Sequence, residues 1–341
     1  MPWGLIPFIV FLEKTFRLQT TDTYRNHFNT FLEKKIGKKE PEQLYEPMTY
    51  ILGLGGKRLR PVLTLMATDA MGGAYREALP AALALELFHN FSLIHDDIMD
   101  GAPLRRGQLT VHRKWDVNTG ILSGDAMLIR SYQLFEGFEP LLFKTLVQLF
   151  SKTALEVCEG QQYDVDFENL ESVSIEQYLY MIRCKTAVLL GACMKTGALI
   201  AGASPRVQKS AYDFGCYLGI AFQLQDDYLD AFGDPLTFGK QLGGDIIENK
   251  KTFLYLKSLE LTDAAGMKEL EHLFSVRPQD PGAKIQAVMD IYESSGAKRA
   301  IREEILRYTT LAFGQLKELS LDKEAEAGFR AFGEALGQRN T

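Results

Sequence analysis

Six aspartates carry the first chemical signal in the chain. Asp96, Asp97 and Asp100 fall within "HDDIMDGAPLRRG", and Asp226, Asp227 and Asp230 repeat the same DDxxD spacing within "QLQDDYLDAFGD". Each cluster follows a run of apolar and small residues, "LPAALALELFHNFSLI" before the first and "YDFGCYLGIAF" before the second. On a helix, positions i and i+4 share a face while i+1 is turned about 100° away. Asp96 and Asp100 therefore point together with Asp97 at their flank, and the second cluster repeats that geometry. Carboxylates this close repel one another and need cations to stay ionised together. One such cluster alone is as readily a solvated helix end. Two of identical spacing, facing each other in a helical interior, would make a site of oxygen ligands only. Such ligands select hard cations, and a site that shares its metal with a substrate phosphate favours Mg²⁺.

Basic residues extend the pattern. "GGKRLRP" supplies Lys57, Arg58 and Arg60 beside two glycines that let backbone approach an anion closely. Arg105 and Arg106 follow the first aspartate cluster, "RCKTA" supplies Lys185 and Thr186 within an apolar stretch, and "GKQLGGD" supplies Lys240. Each alone reads as a surface cation. Together they suggest two anion pockets, one reached through Mg²⁺ and one through Lys and Arg directly, where bidentate Arg donors suit phosphate. The chain has no GxxxxGK[ST], GxGxxG or GxSxG sequence, so neither a nucleotide fingerprint nor a hydrolase elbow supports another chemistry.

The elements that must position these groups are helices. Segments 76–99, 119–136, 174–202 and 205–231 run with helical periodicity and without the strand-and-turn rhythm of a β protein. Pro61 and Pro205 fit first-turn positions. Asn-Gly and Asp-Gly hairpin signals between alternating strands are missing, although Asp100-Gly101 marks a loop. No Pro/Ser-rich linker divides the chain, and no repeat is visible. The expectation is one all-α domain over residues 1–341, a multi-helix bundle of roughly ten or more helices, with residues 1–12 a loosely attached N-terminal segment. The net charge of -6 argues against nucleic acid as a partner. Cys158, Cys184, Cys193 and Cys216 form no CxxC and read as free thiols in a reducing compartment. The apolar opening "MPWGLIPFIVFLEK" lacks the basic start of a signal peptide and is too short to span a membrane. The expected location is the cytoplasm.

In this order, "GGKRLRP", "HNFSLIHDDIMDGAPLRRG", "KTA", "FQLQDDYLD" and "GKQLGGDI" resemble the trans-type isoprenyl diphosphate synthases, which include farnesyl and geranylgeranyl diphosphate synthases. The resemblance covers most of the chain. It implies an all-α fold of the isoprenoid synthase type around a central apolar cavity, in a homodimer. It also implies that Asp96, Asp97, Asp100, Asp226, Asp227 and Asp230 surround several Mg²⁺ ions that bind an allylic diphosphate. Arg105, Lys185, Thr186, Gln223 and Lys240 would be further contacts to that diphosphate. Lys57, Arg60, His89 and Arg106 would form the pocket for isopentenyl diphosphate, with Arg58 inside the same motif. Asp96, Asp97, Asp100, Arg105, Lys185, Asp226, Asp227 and Lys240 would carry the catalysis. Metals and cations would stabilise the leaving pyrophosphate while an apolar cavity shields the allylic cation from water. No histidine base is required, and His95 reads as structural.

The growing product should run back along the helix that carries Asp96. Five residues earlier, about 7.5 Å along the axis, stands Phe91. Phe88 lies a further turn down, and the neighbour Ser92 is small. An aromatic floor with a small neighbour resembles geranylgeranyl-producing members, with a farnesyl product as the alternative; ordinary core packing of both rings also stays open. Rival readings are a terpene cyclase, a silent subunit of a heteromeric synthase, and a di-iron bundle built on Glu86/His89 and Glu269/His272.

Overall fold

The computed structural model describes residues 18–37, 39–234 and 242–337. In chain order the helices are α1 (Thr21–Lys35), α2 (Glu42–Gly53), α3 (Leu59–Ala70), α4 (Leu79–Met99), α5 (Val111–Lys114), α6 (Val117–Gln133), α7 (Pro140–Asn169), α8 (Ile175–Ile182), α9 (Val188–Ile200), α10 (Pro205–Phe232), α11 (Gly244–Glu248), α12 (Phe253–Leu261), α13 (Ala264–Ser275), α14 (Gly282–Ser294), α15 (Ala297–Leu316) and α16 (Lys323–Gly337). The fold is all-α, as expected.

One departure is a small hairpin after α4. Strands β1 (Leu104–Arg105) and β2 (Gln108–Leu109) pair antiparallel, with Leu104 opposite Leu109 and Arg105 opposite Gln108. The turn residues Arg106 and Gly107 both have positive φ, 54° and 74°. That is the requirement of a type I′ turn, met here by Arg-Gly in place of Asn-Gly or Asp-Gly. The hairpin sets Arg105 on Asp97 of α4 and Arg106 on the Gly55–Gly56 backbone.

The central helices explain themselves from sequence. In α4, Pro80 occupies the first turn and Ala, Leu and Phe cover nearly the whole circumference, so the helix is buried on almost every side. Ser204 caps α10 by accepting from the Val207 amide, and Pro205 opens it. The α8–α9 segment is continuous except at Arg183–Ala187, where one π turn widens the helix. Glycines admit this bulge. A Cβ on Gly160 of α7 would lie 2.2 Å from the Lys185 nitrogen, and one on Gly219 of α10 would lie 2.5 Å from the Ala187 Cα. Two apolar clusters form the core, and α10 contributes to both, with Phe214 and Leu218 in one and Ile220 and Leu224 in the other. Lys251 donates to the carbonyls of Phe167, at 2.9 Å, and Leu170, closing the C-terminal end of α7.

Candidate active site

The two aspartate clusters occupy the C-terminal ends of α4 and α10. This is the negative end of each helix dipole, so the backbone adds to the repulsion among the carboxylates. Asp96, Asp226, Asp227 and Asp230 line one cavity of about 290 Å³. Asp164 from α7, Asp245 from α11, Lys185, Thr186, Gln223 and Lys250 line it too.

Within each cluster the members differ. Asp97 is only 2% exposed and turns inward. Arg105 grips it through Nε at 2.8 Å and Nη2 at 2.7 Å, while its approach to Asp96 is longer, 3.7 Å. Asp227 is 4% exposed and accepts hydrogen bonds from the Tyr178 hydroxyl and from Gln223 Nε2, the latter at 3.1 Å. Burial, opposed by those hydrogen bonds and reinforced by Asp226 and Asp230, pushes its pKa up to about 7. Burial and then Asp96 raise Asp100 to about 6. Asp245 is held well above the usual carboxylate range by burial, Asp230 and Asp227, and its amide donates to Asp230 Oδ2 at 3.0 Å.

One carboxylate oxygen facing the cavity is left without a hydrogen-bond donor. Asp96 Oδ1 is buried and accepts no hydrogen bond. The donor set is oxygen throughout, which fits a hard divalent cation. Among the described residues no three ligating side chains converge as a closed metal site.

On the same wall, the Lys185 amine lies 2.5 Å from Asp164 and 3.5 Å from Asp96. Burial works against its charge, but Asp164 and then Asp96 outweigh it and keep the amine protonated. Thr186 donates to Gln223 Oε1 at 3.1 Å, linking the π turn to α10. Lys240 lies outside the described residues, as does the N-terminal segment 1–12.

The second basic group gathers around the start of α3. Gly55 and Gly56 adopt positive φ, 80° and 118°. The Arg106 guanidinium lies against Gly56 and donates to the Gly55 carbonyl. Lys57 is exposed beside them. Arg58 lies close enough to this group to disfavour positive charge on His89 and Arg106. It takes the left-handed conformation that starts α3, turns into the core and pairs with Glu86 at 2.8 Å. Its charge thus answers a buried carboxylate on α4. Burial, then Arg60, Arg105 and Arg106, hold His89 well below the usual imidazole range, so it is neutral.

A second cavity, of about 360 Å³, runs beside α4. Arg60, His89, Asp96, Lys185 and Thr186 are among the polar residues that line it. Phe91, Phe88 and Ser92 line it, with Val157, Cys158 and Val165 of α7 on the facing wall. Phe88 and Phe91 have ring centroids 5.6 Å apart, and Phe88 meets Phe150 edge-on at 5.4 Å. Ser92 donates back to the His89 carbonyl at 2.8 Å and so presents no unsatisfied hydroxyl.

The di-iron reading fails on this geometry. Glu86 is already paired with Arg58, and Glu269 and His272 are exposed on α13. Several site residues escaped the sequence reading: Asp164, Tyr178, Asp245, Lys250 and Gly160. The usable signal was the placement of Asp245 directly after Gly243-Gly244, in the stretch that also supplies Lys240.

Comparison with known proteins agrees with the geometry. The polyprenyl synthetase family model matches residues 41–292. Over 237 residues the chain is 40% identical to the geranylgeranyl diphosphate synthase of Methanosarcina mazei, covering 69% of this chain and 73% of that one. A crystal structure of a geranylgeranyl pyrophosphate synthase superposes with a TM-score of 0.91 at 50% identity, covering 95% of this chain and 100% of the other. The geranylgeranyl pyrophosphate synthase from Corynebacterium glutamicum, complexed with isoprenyl diphosphate and magnesium, has a TM-score of 0.81 at 27% identity, covering 94% and 98%.

Proposed function

The chain belongs to the polyprenyl synthetase family, and from that premise we propose that it condenses isopentenyl diphosphate with allylic diphosphates and stops at geranylgeranyl diphosphate. It is a short-chain prenyltransferase. The observation that supports the detailed reading best is a shared border. Asp96, Lys185 and Thr186 line both the carboxylate cavity and the apolar one. A diphosphate held in the first would present its hydrocarbon to the second.

In this reading Asp96, Asp100, Asp226, Asp227 and Asp230 hold the Mg²⁺ ions, and Asp97 serves the site by orienting Arg105. When bound, Mg²⁺ supplies Lewis-acid neutralisation of the diphosphate charge. Arg105, Lys185, Thr186, Gln223 and Lys240 contact the allylic diphosphate, and we add Lys250, which lines the same cavity. Lys57, Arg60, His89 and Arg106 receive isopentenyl diphosphate, with neutral His89 as a hydrogen-bonding partner among cations. As pyrophosphate leaves, these charges stabilise it, and the double bond of isopentenyl diphosphate attacks the allylic carbon. The proton then passes to the departing pyrophosphate. The apolar walls keep water from the cation in the interval.

We also take the chain to be one prenyltransferase domain, since α10 runs through both apolar clusters. A homodimer fits the outer face of α6 and α7, where Leu122, Ile129, Leu141 and Leu155 are exposed, Leu141 by 79%. No helix among the described residues is long and apolar enough to cross a membrane. Four free thiols, three of them buried, suit the reducing cytoplasm in which we place the enzyme.

The decisive experiment is incubation with Mg²⁺, labelled isopentenyl diphosphate and dimethylallyl, geranyl or farnesyl diphosphate, followed by chain-length analysis. Twenty-carbon product is expected. No elongation from any primer would overturn the proposal. Light scattering of the same preparation should give twice the chain mass, and a monomer would remove the dimer.

A further inference from the structure

Asp164 belongs to neither aspartate motif, yet it makes the shortest contact to the Lys185 amine, 2.5 Å against 3.5 Å for Asp96. It stands four residues after Gly160 on α7, so both occupy one face of that helix. Gly160 lets the α7 backbone meet the backbone nitrogen of Lys185, and Asp164 meets the same residue's amine. Helix α7 thus fixes Lys185 at both ends. Meanwhile Asp96 Oδ1, the oxygen facing that amine, accepts no hydrogen bond although it is buried.

We propose that Asp164 is a positioning residue that draws the Lys185 amine off Asp96 and so leaves that carboxylate open to a divalent cation. The inference rests on the reading of Asp96 as a cation ligand. Two anions compete for one amine. A hydrogen-bonded contact at 2.5 Å holds it more firmly than a contact at 3.5 Å without one. Remove the first anion and, among the described residues, Asp96 is the carboxylate left within ion-pair distance of the amine. The amine would then occupy the place of the metal before any substrate arrives. With Asp164 present, Lys185 stays charged at the border of the two cavities, within reach of a diphosphate, and does not obstruct the metal.

The test is a double-mutant cycle on the metal-stripped full-length protein, titrated calorimetrically with Mg²⁺ alone. Asp164→Asn should weaken Mg²⁺ binding roughly fivefold while Lys185 is present. In a Lys185→Gln background the same substitution should change it by less than about twofold, since no amine remains to fall onto Asp96. An equal loss in both backgrounds would mean that Asp164 acts through its charge alone and would overturn the proposal. So would an unchanged affinity in Asp164→Asn. If that variant does not fold, Asp164→Glu carries the same cycle, because it keeps the charge while displacing the carboxylate by one methylene. Asp96→Asn separates the two readings. If it binds Mg²⁺ as tightly as the unaltered chain, the ligand role of Asp96 fails and the proposal with it. If it weakens binding while Asp164→Asn does not, only the proposal fails.

Discussion

Asp227 shows how a residue that is costly to ionise can be useful. Burial, despite hydrogen bonds from Tyr178 and Gln223, holds its pKa near about 7, and Asp100 is raised to about 6. In the metal-free protein such carboxyls keep protons that the unfolded chain releases near pH ~4. Their contribution to stability is therefore fully present below about pH 4 and is lost as the pH rises through about 7. A bound divalent cation reverses the preference by stabilising the ionised forms. The rise in melting temperature on adding Mg²⁺ should then be larger at about pH 8 than at about pH 6. Thermal melts with and without Mg²⁺ at both pH values check this, and equal shifts would show that these carboxyls are not coupled to the metal. Arg105 makes a second residue-scale case. Its grip on Asp97 is bidentate and buried, so Asp97→Asn should release the arginine and lower kcat with little change in Mg²⁺ affinity. A metal affinity that collapses in Asp97→Asn would instead make Asp97 a direct ligand.

At the scale of elements, the π turn at Arg183–Ala187 and the helices packed on it decide where Lys185 and Thr186 stand. Gly160→Ala would set a methyl 2.2 Å from the Lys185 nitrogen, against backbone that cannot rotate away. Overpacking of this kind costs ~1–3 kcal/mol, and the displaced amine should lower kcat on the order of a hundredfold. Denaturant unfolding together with steady-state kinetics measures both; a full-rate Gly160→Ala enzyme would show that the bulge has no part in placing Lys185. Nothing in the sequence announces this turn, because the apolar period runs on through "RCKTA" and a single widened turn leaves the pattern intact. The flanking segments 76–99, 174–202 and 205–231 were legible for the same reason, since their apolar residues recur with the helical period. The hairpin at 104–109 was not, because its positive-φ turn uses Arg106 where the usual signal is Asn or Asp. In the site, the two DDxxD clusters identified themselves by spacing within single helices. Asp164, Tyr178 and Asp245 come from α7, α8 and α11, and only tertiary packing brings them to one cavity.

Across the whole molecule, α4 acts as a ruler with the chemistry at one end and the stop further down. Phe91 and Phe88 lie five and eight residues before Asp96, about 7.5 Å and 12 Å along the axis. Both line the apolar cavity, but they are not equally free to move. Phe91 contacts Phe88 and, at 4.6 Å, His95. Phe88 is held from behind by Phe150, which in turn meets Tyr132 at 4.9 Å and Phe135 at 5.4 Å. The floor is thus a stack of rings that reaches from α4 through α7 to α6, and its depth depends on how much of the stack is removed. Phe91→Ala should admit a modestly longer product, since Phe88 still stands beneath it on its aromatic support. Phe91→Ala with Phe88→Ala should lengthen the product further while the first condensation continues, because neither ring touches the carboxylate cavity. Phe150→Leu should act in between: it leaves Phe88 in place but withdraws the edge-to-face contact, about 0.5–1.5 kcal/mol of support, so a mixture of lengths should replace a single product. Chain-length analysis of the three variants with farnesyl diphosphate as primer orders them. Identical products from all three would mean that the hydrocarbon leaves α4 before it reaches Phe91, along the facing wall of α7.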